Sequence, residues 1–353
     1  MQPVRFGLIG FGWRAEAYLR IAKQLPHLFE AVGIVVRDIS KYEKAAAKWG
    51  LKLYSSAAEL APHCDYVIAA VSKNAVPELL EELVSLHIPV LAETPPAFDE
   101  EGIKRVSDLA ARGASVQIAE QYPLQPHHAA RTALIRSGVL GEVKHVQVSA
   151  GHGIHGIGLI RQWLSVSSAA CEITARQFEL PILEVPNRGR AVEDKLETEI
   201  HDIAILTFPD GKSAVLDFAR SQYFSPIRHN RILIRGSHGE IRDNEITYSL
   251  GSGEFVTDTI RRVQDGMEGS LAPLSLRELR TGSTSLFRNP YYPASLSDEE
   301  IAMAQSMSRM SDYVREGISF YSLSDALIDV RLSIAIDEAV ASGQPVVIQG
   351  ETV

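Results

Sequence analysis

The sequence predicts an α/β protein in two parts: an N-terminal doubly wound parallel sheet, then an α+β domain on an open, mostly antiparallel sheet. Three observations carry this reading. Between Val4 and Ala119, apolar runs of four to six residues alternate with helix-length amphipathic stretches, the pattern of βαβ units. Pro123 and Pro126 then interrupt the series. Beyond them, longer strand-like runs with partial alternation dominate. The boundary falls after Tyr122, giving domains 1–122 and 123–353.

In chain order, strands are expected at Val4 to Ile9, Ala31 to Val36, Tyr66 to Val71, Pro89 to Ala92 and Ser115 to Ala119. All are apolar, as strands covered on both faces should be. Helices are expected at Trp13 to Gln24, Lys41 to Lys48, Ala75 to Leu86 and Glu100 to Ala111, the last with Asp99 as its N-cap. In the second part, strands are expected at Val143 to Val148, Ile200 to Phe208, Ser213 to Phe218 and Arg231 to Ile234, and Pro209-Asp210-Gly211-Lys212 reads as a hairpin turn. Helices from about Asp298 to Arg315 and Ser324 to Ala341 precede a last strand, Pro345 to Ile348, and the final helix can pack back on the first domain.

The chain has 353 residues with 45% hydrophobic content, enough for two packed domains. Its net charge of -9 opposes binding to nucleic acid or anionic lipid, which a basic face would favour, and leaves a small molecule as the expected partner. Cys64 and Cys171 are the two cysteines, too few for a disulfide framework or a four-cysteine zinc site. The first residues lack a signal-peptide layout and no window is apolar enough to span a membrane, so the expected compartment is the cytoplasm.

Gly10-Phe11-Gly12-Trp13-Arg14-Ala15 follows the first strand and opens a helix, the context a dinucleotide fingerprint requires. Gly10 allows the tight turn, Gly12 lets a pyrophosphate approach the helix N-terminus, and Ala15 lets helix and strand pack closely. With Trp13 and Arg14, they are the first cofactor-binding candidates. The second strand ends Val35-Val36-Arg37-Asp38, with Val36 where an acid would accept the ribose hydroxyls of NAD. Arg37 can pair with a 2′-phosphate and stack on adenine, which tilts the cofactor toward NADP over NAD. The alternative is a solvated Arg37 with Asp38 on the ribose. Ligands of open parallel sheets sit at the carboxyl ends of strands, so Ser72, Glu93, Gln121 and Tyr122 are further candidates for the cofactor pocket.

These segments together resemble the family of glucose-fructose oxidoreductase and inositol dehydrogenase (Gfo/Idh/MocA), over nearly the whole chain. The resemblance rests on the fingerprint, on Pro89-Val90-Leu91-Ala92-Glu93-Thr94-Pro95 beside the family's Glu-Lys-Pro segment, and on Ile135-Arg136-Ser137-Gly138-Val139-Leu140-Gly141-Glu142-Val143. Phe208-Pro209-Asp210-Gly211, Ile234-Arg235-Gly236-Ser237-His238-Gly239-Glu240-Ile241 and Ala339-Val340-Ala341-Ser342-Gly343-Gln344-Pro345-Val346 follow in the family's order. It implies a Rossmann domain, a sheet domain whose open face oligomerises, and NAD(P)-dependent oxidation or reduction of sugars, cyclitols and related polyols.

The resemblance further implies a lysine after the glutamate, a histidine on the second domain and an aspartate one turn before it. Here Thr94 stands at the lysine position, His155 matches the histidine with His152 as competitor, and Gly151 occupies the aspartate position. Taking a hydride from a carbinol carbon needs a base for the hydroxyl proton, which histidine suits. It also needs a group that steadies the developing alkoxide, which a lysine ammonium suits, whereas threonine can donate a hydrogen bond but carries no charge. Lys73, Arg161 and Lys195 are candidate replacements. The glycines at 151, 153, 156 and 158 read as a substrate-facing loop, with an incidental surface connection as the alternative.

His152, His155, His201-Asp202 and His229 have metal-ligating chemistry, but His201 in an apolar run reads as a satisfied sheet residue and no metal is expected. His127-His128 are expected to cap or flank a helix, and Arg228-His229-Asn230-Arg231 to line a pocket or interface. The leading expectation is an NAD(P)-dependent oxidoreductase with His155, Thr94 and His152 at the reacting end. Alternatives are a glycoside hydrolase or epimerase with tightly bound NAD(H) in a transient redox cycle, and a non-catalytic cofactor-binding subunit. The open sheet points to a homo-dimer or homo-tetramer.

Overall fold

The computed structural model describes residues 2–185 and 192–350. It divides into two compact units, the first comprising residues 1–126, 262–278 and 288–327, the second 127–261, 279–287 and 328–353. The chain leaves the first unit after Pro126, near the boundary expected after Tyr122, and returns to it at residues 262–278 and 288–327.

The first unit begins with β1 (Val4–Ile9), α1 (Trp13–Gln24), β2 (Phe29–Val35), α2 (Ile39–Trp49), β3 (Leu53–Tyr54), α3 (Ala57–Leu60) and β4 (Tyr66–Ala69). It continues with α4 (Val76–Ser85), β5 (Val90–Ala92), α5 (Glu100–Ala111) and β6 (Val116–Ile118). The six strands pair in the order β3-β2-β1-β4-β5-β6, all parallel. Order reverses between β1 and β4, and a crevice for ligand opens at the carboxyl ends of strands at such a point. Burial explains the apolar strands: every residue of β4, β5 and β6 is buried. Caps set helix starts, for Asp38, Ser56 and Asp99 each accept a backbone N–H of the following turn. The two-residue β3 and one-turn α3 are too short to leave a periodic signal.

Pro123 does not end regular structure. Tyr122 to Leu124 form a single 3-10 turn and α6 (Pro126–Arg136) starts on proline, whose missing N–H costs nothing at a first helical position. His127 and His128 are therefore inside a helix. Then follow β7 (Val143–Ser149), α7 (Gly153–Leu164), β8 (Cys171–Leu183), β9 (Leu196–Thr207), β10 (Ser213–Ala219), β11 (Arg231–Gly236), β12 (Gly239–Arg242), β13 (Glu245–Gly251) and β14 (Glu254–Thr259). After β15 (Arg261–Asp265), β16 (Ser275–Thr281) and β17 (Thr284–Arg288), which form their own small sheet, come α8 (Asp298–Glu316), α9 (Leu323–Ser342) and β18 (Val346–Ile348).

The second unit is a nine-stranded sheet in the order β14-β13-β12-β11-β7-β10-β9-β8-β18, antiparallel in its pairs except β10 with β7. One face is core: Ala204, Leu206, Ala214, Leu216, Val146 and Val148 are buried on it. Register and the two-residue period put Phe178, Ile205 and Phe255 on the opposite face, where they are 47%, 49% and 70% exposed.

The helix α8 belongs wholly to the first unit and α9 only up to Leu327. A capping box at Ser297 and Glu300 starts α8, and Gln305 Nε2 donates to the Leu124 carbonyl at 2.9 Å. No helix among the described residues is long and apolar enough to cross a membrane.

Candidate functional site

The carboxyl ends of the parallel strands carry the first cluster. Gly10 takes φ +92°, and a Cβ there would stand 2.5 Å from the Ala70 carbonyl oxygen, so only glycine fits this turn. Gly12 is the N-cap of α1, accepts no side-chain cap, and its missing Cβ faces open space. A dinucleotide pyrophosphate fits here, on backbone N–H groups at the positive end of a helix. Ala15 is fully buried, which brings α1 against the sheet.

Trp13 is 48% exposed, with the Arg14 guanidinium 4.6 Å from its ring centre. Arg14 has partners within the protein. Its Nε lies 3.4 Å from Glu93 Oε1, and its Nη1 donates to Glu299 Oε1 at 2.8 Å. Gln121, oriented so that both ends of its amide are satisfied, accepts from Arg14 Nη2 at 3.0 Å and donates to the Ala119 carbonyl at 3.1 Å. Tyr18, one helical turn beyond Arg14, donates to Glu93 Oε1 at 2.6 Å. Burial opposes the Arg14 charge, but Glu93, Tyr18 and Glu299 hold its pKa above the ordinary value. Burial, then the Glu93 charge, raises Tyr18 well above the usual phenol range. Thr94, half-buried, follows Glu93 and enters a cis peptide with Pro95. Tyr122 is buried, and its N–H donates to Glu120 Oε1 at 2.9 Å.

The remaining cofactor candidates stand on neighbouring strand ends. Val36 is buried and Arg37 exposed. Asp38 is occupied as the cap of α2, accepting from Ser40 Oγ at 2.7 Å and Lys41 N at 3.3 Å, and the Ser40 hydroxyl and Lys41 N–H lower its pKa. Ser72 is exposed at the turn after β4, and Lys73 Nζ lies 5.3 Å from the centre of the Phe98 ring. A polar groove lined by Arg5, Glu30, Asp65, Ser311 and Arg315 sits at the opposite, amino end of this sheet.

The second unit carries His152 and His155, and here the structure corrects the expected glycine loop. Gly153 to Leu164 are helix α7, with His152 as N-cap and His155 in the first turn. Gly156 serves packing: a Cβ there would meet Leu216 Cδ1 at 2.3 Å and the Gly151 carbonyl oxygen at 2.6 Å. His155 is buried and His152 exposed, their ring centres 5.2 Å apart. His152 also meets Tyr223 at 5.5 Å, edge to face, and Phe218 at 6.1 Å. Its N–H donates to the Tyr223 hydroxyl at 3.1 Å. Tyr223 was not among the expected site residues, its signal being the nearby aromatics Phe218 and Phe224, nor was Glu299, which nothing local marks.

Two replacement cations are already committed. Arg161 is buried with Nη1 2.6 Å from Asp329 Oδ1, and Lys195 lies 3.5 Å from Glu193 and 3.8 Å from Glu184. His201 Nε2 is 2.5 Å from Asp217 Oδ1, and His229 offers its carbonyl to Gln222. Among the described residues no three His, Cys, Asp or Glu side chains are grouped to hold a metal ion.

Residues 4–120 match the model of the family described as "Oxidoreductase family, NAD-binding Rossmann fold", Gfo/Idh/MocA. No curated protein sequence matches the chain significantly. Among solved structures, an oxidoreductase from Agrobacterium radiobacter in complex with NAD+, L-tartaric acid and magnesium is 18% identical over 98% of each chain, with a TM-score of 0.71. Levoglucosan dehydrogenase in complex with NADH and levoglucosan is 18% identical over 98% of this chain and 99% of that one, at 0.70. A myo-inositol dehydrogenase from Corynebacterium glutamicum is 17% identical over 98% and 99%, at 0.64. Residues 4–120 thus match the NAD-binding Rossmann model of the Gfo/Idh/MocA oxidoreductase family, and the chain as a whole has the fold of these solved structures.

Proposed function

We propose that the protein is an NAD(P)-dependent oxidoreductase that moves a hydride between the cofactor and a carbinol or carbonyl carbon of a sugar, cyclitol or related polyol. One observation carries the reading. The uncapped N-terminus of α1 and the Arg14, Glu93 and Gln121 cluster all stand at the carboxyl ends of β1, β5 and β6, beside the point where strand order reverses. A levoglucosan dehydrogenase of the same fold, solved in complex with NADH and levoglucosan, supports the substrate class.

When bound, a nicotinamide cofactor takes or gives the hydride. Gly12 and the first N–H groups of α1 hold its pyrophosphate, and Ser72, Glu93, Gln121 and Tyr122 shape the pocket around its nicotinamide end. Arg37 meets the 2′-phosphate of NADP, since Val36 offers no carboxylate and the Asp38 carboxylate is engaged as a cap. His155 moves the hydroxyl proton, with His152 beside it. Lys73 supplies the charge that Thr94 lacks, because Arg161 and Lys195 are committed elsewhere. A homo-dimer or homo-tetramer built on the open face of the nine-stranded sheet completes the reading, and Cys64 and Cys171, both free thiols, suit a reducing cytoplasm.

The test is a titration of purified protein with NADPH and NADH, followed by a turnover panel of cyclic and acyclic polyols. NADPH is expected to bind more tightly, and Arg37→Glu to erase that preference while leaving NADH binding unchanged. Binding of neither cofactor, or no turnover on any member of the panel, would overturn the proposal.

A further inference from the structure

Resting on that reading, the second unit indicates which polyols the site takes. His155, His152 and Tyr223 form a row of rings with successive centres 5.2 and 5.5 Å apart, running outward from the buried His155. Phe218, 2% exposed, backs the row at 4.9 Å from Tyr223. Tyr223 itself is 38% exposed, although its hydroxyl already receives the His152 N–H.

The row is also held rigid. Tyr223 closes a 3-10 turn, Arg220–Tyr223, whose buried Gln222 donates to the Ser149 carbonyl at 2.5 Å and to Asn230 Oδ1 at 3.0 Å. Ser149 ends β7, three residues before His152, so one amide ties the tyrosine turn to the start of α7. A buried side chain spent on fixing an exposed aromatic ring suits a ring that must meet a ligand in one position.

We propose that Tyr223, with His152 beside it, is a stacking platform for the C–H face of a cyclic sugar or cyclitol and determines specificity for ring substrates over open-chain ones. The face of an aromatic ring carries negative charge density and attracts polarised hydrogens laid against it. A ring with equatorial hydroxyls presents such a face ready-made. An acyclic polyol must first order several rotatable bonds, which subtracts from its binding energy.

The experiment compares kcat/KM for cyclic and acyclic polyols in the wild type, Tyr223→Phe and Tyr223→Leu, with melting temperatures and NAD(P)H affinity measured alongside. Tyr223→Leu removes the aromatic face together with the hydroxyl that accepts the His152 N–H, and Tyr223→Phe removes the hydroxyl alone. Relative to Tyr223→Phe, Tyr223→Leu should lower kcat/KM for cyclic substrates roughly tenfold through KM, with the acyclic value and the cofactor affinity alike in the two variants. Tyr223→Phe should keep the cyclic preference. An equal loss on both substrate types, no loss at all, or a wild type that prefers acyclic polyols would overturn the platform while leaving the oxidoreductase reading intact. Absence of wild-type turnover on every polyol would instead remove the reading beneath it.

Discussion

Arg14 shows how far a side chain's role depends on residues remote in sequence. Its place in the fingerprint suggests a contact to the cofactor, yet it pairs with Glu93 and with Glu299, 285 residues away, and Tyr18 shares the same Glu93 oxygen. Neither Tyr18, one turn on, nor the α8 carboxylate is marked by any local pattern in the sequence. Arg14→Met removes a cation paired with Glu93 in a largely buried site and should cost about 3 kcal/mol of stability, read as a lower denaturant midpoint at unchanged slope. Loss of cofactor affinity with full stability would show instead that Arg14 reads phosphate. His155→Asn should lower kcat by about 10²–10⁴-fold with little change in cofactor affinity. Lys73→Met should lower kcat by about 10²–10³-fold if its charge faces the developing alkoxide, and an unchanged rate would remove it from the site.

At the scale of elements, β1, α1 and α5 coincide with the sequence reading because period, cap and length all agree there. The segment from Gly153 reads differently, since four glycines in eight residues oppose a helix by propensity. Packing overrides propensity: α7 lies so close to β10 that Gly156 leaves no room for a methyl group. Gly156→Ala, a better helix former, should therefore destabilise the protein by about 1–3 kcal/mol, measured by thermal or denaturant unfolding. A stabilised variant would mean that α7 stands off the sheet. The helix α6 gives a pH dependence. His128 is fully enclosed, and burial, then Arg131 and His127, push its pKa well below the usual histidine value. The unfolded chain takes up this proton near pH 6.5 while the folded chain does not. Stability is thus flat above that pH and falls below it, by at most about 1.4 kcal/mol per pH unit for this one group. His128→Gln should flatten that part of the stability profile.

For the molecule as a whole, the two-part architecture was readable from the change in apolar pattern after Pro126, but the return of residues 262–278 and 288–327 to the first unit was not. That return is made by contacts such as Gln305 with the Leu124 carbonyl, which amphipathic periodicity cannot locate. The open sheet face was legible as alternation, and its apolar residues carry a prediction at this scale. Ile205→Lys together with Phe255→Lys should convert the proposed homo-oligomer to monomer in sedimentation, with the melting transition still cooperative. A wild-type monomer would contradict the proposed assembly. The central claim is net hydride transfer, and its most direct measurement follows a polyol deuterated at the carbinol carbon through turnover with NADP+ or NAD+. One deuterium per turnover is expected on the nicotinamide ring of accumulating reduced cofactor. Product formed without labelled reduced cofactor in solution would contradict it and point to redox chemistry that returns the hydride to its substrate.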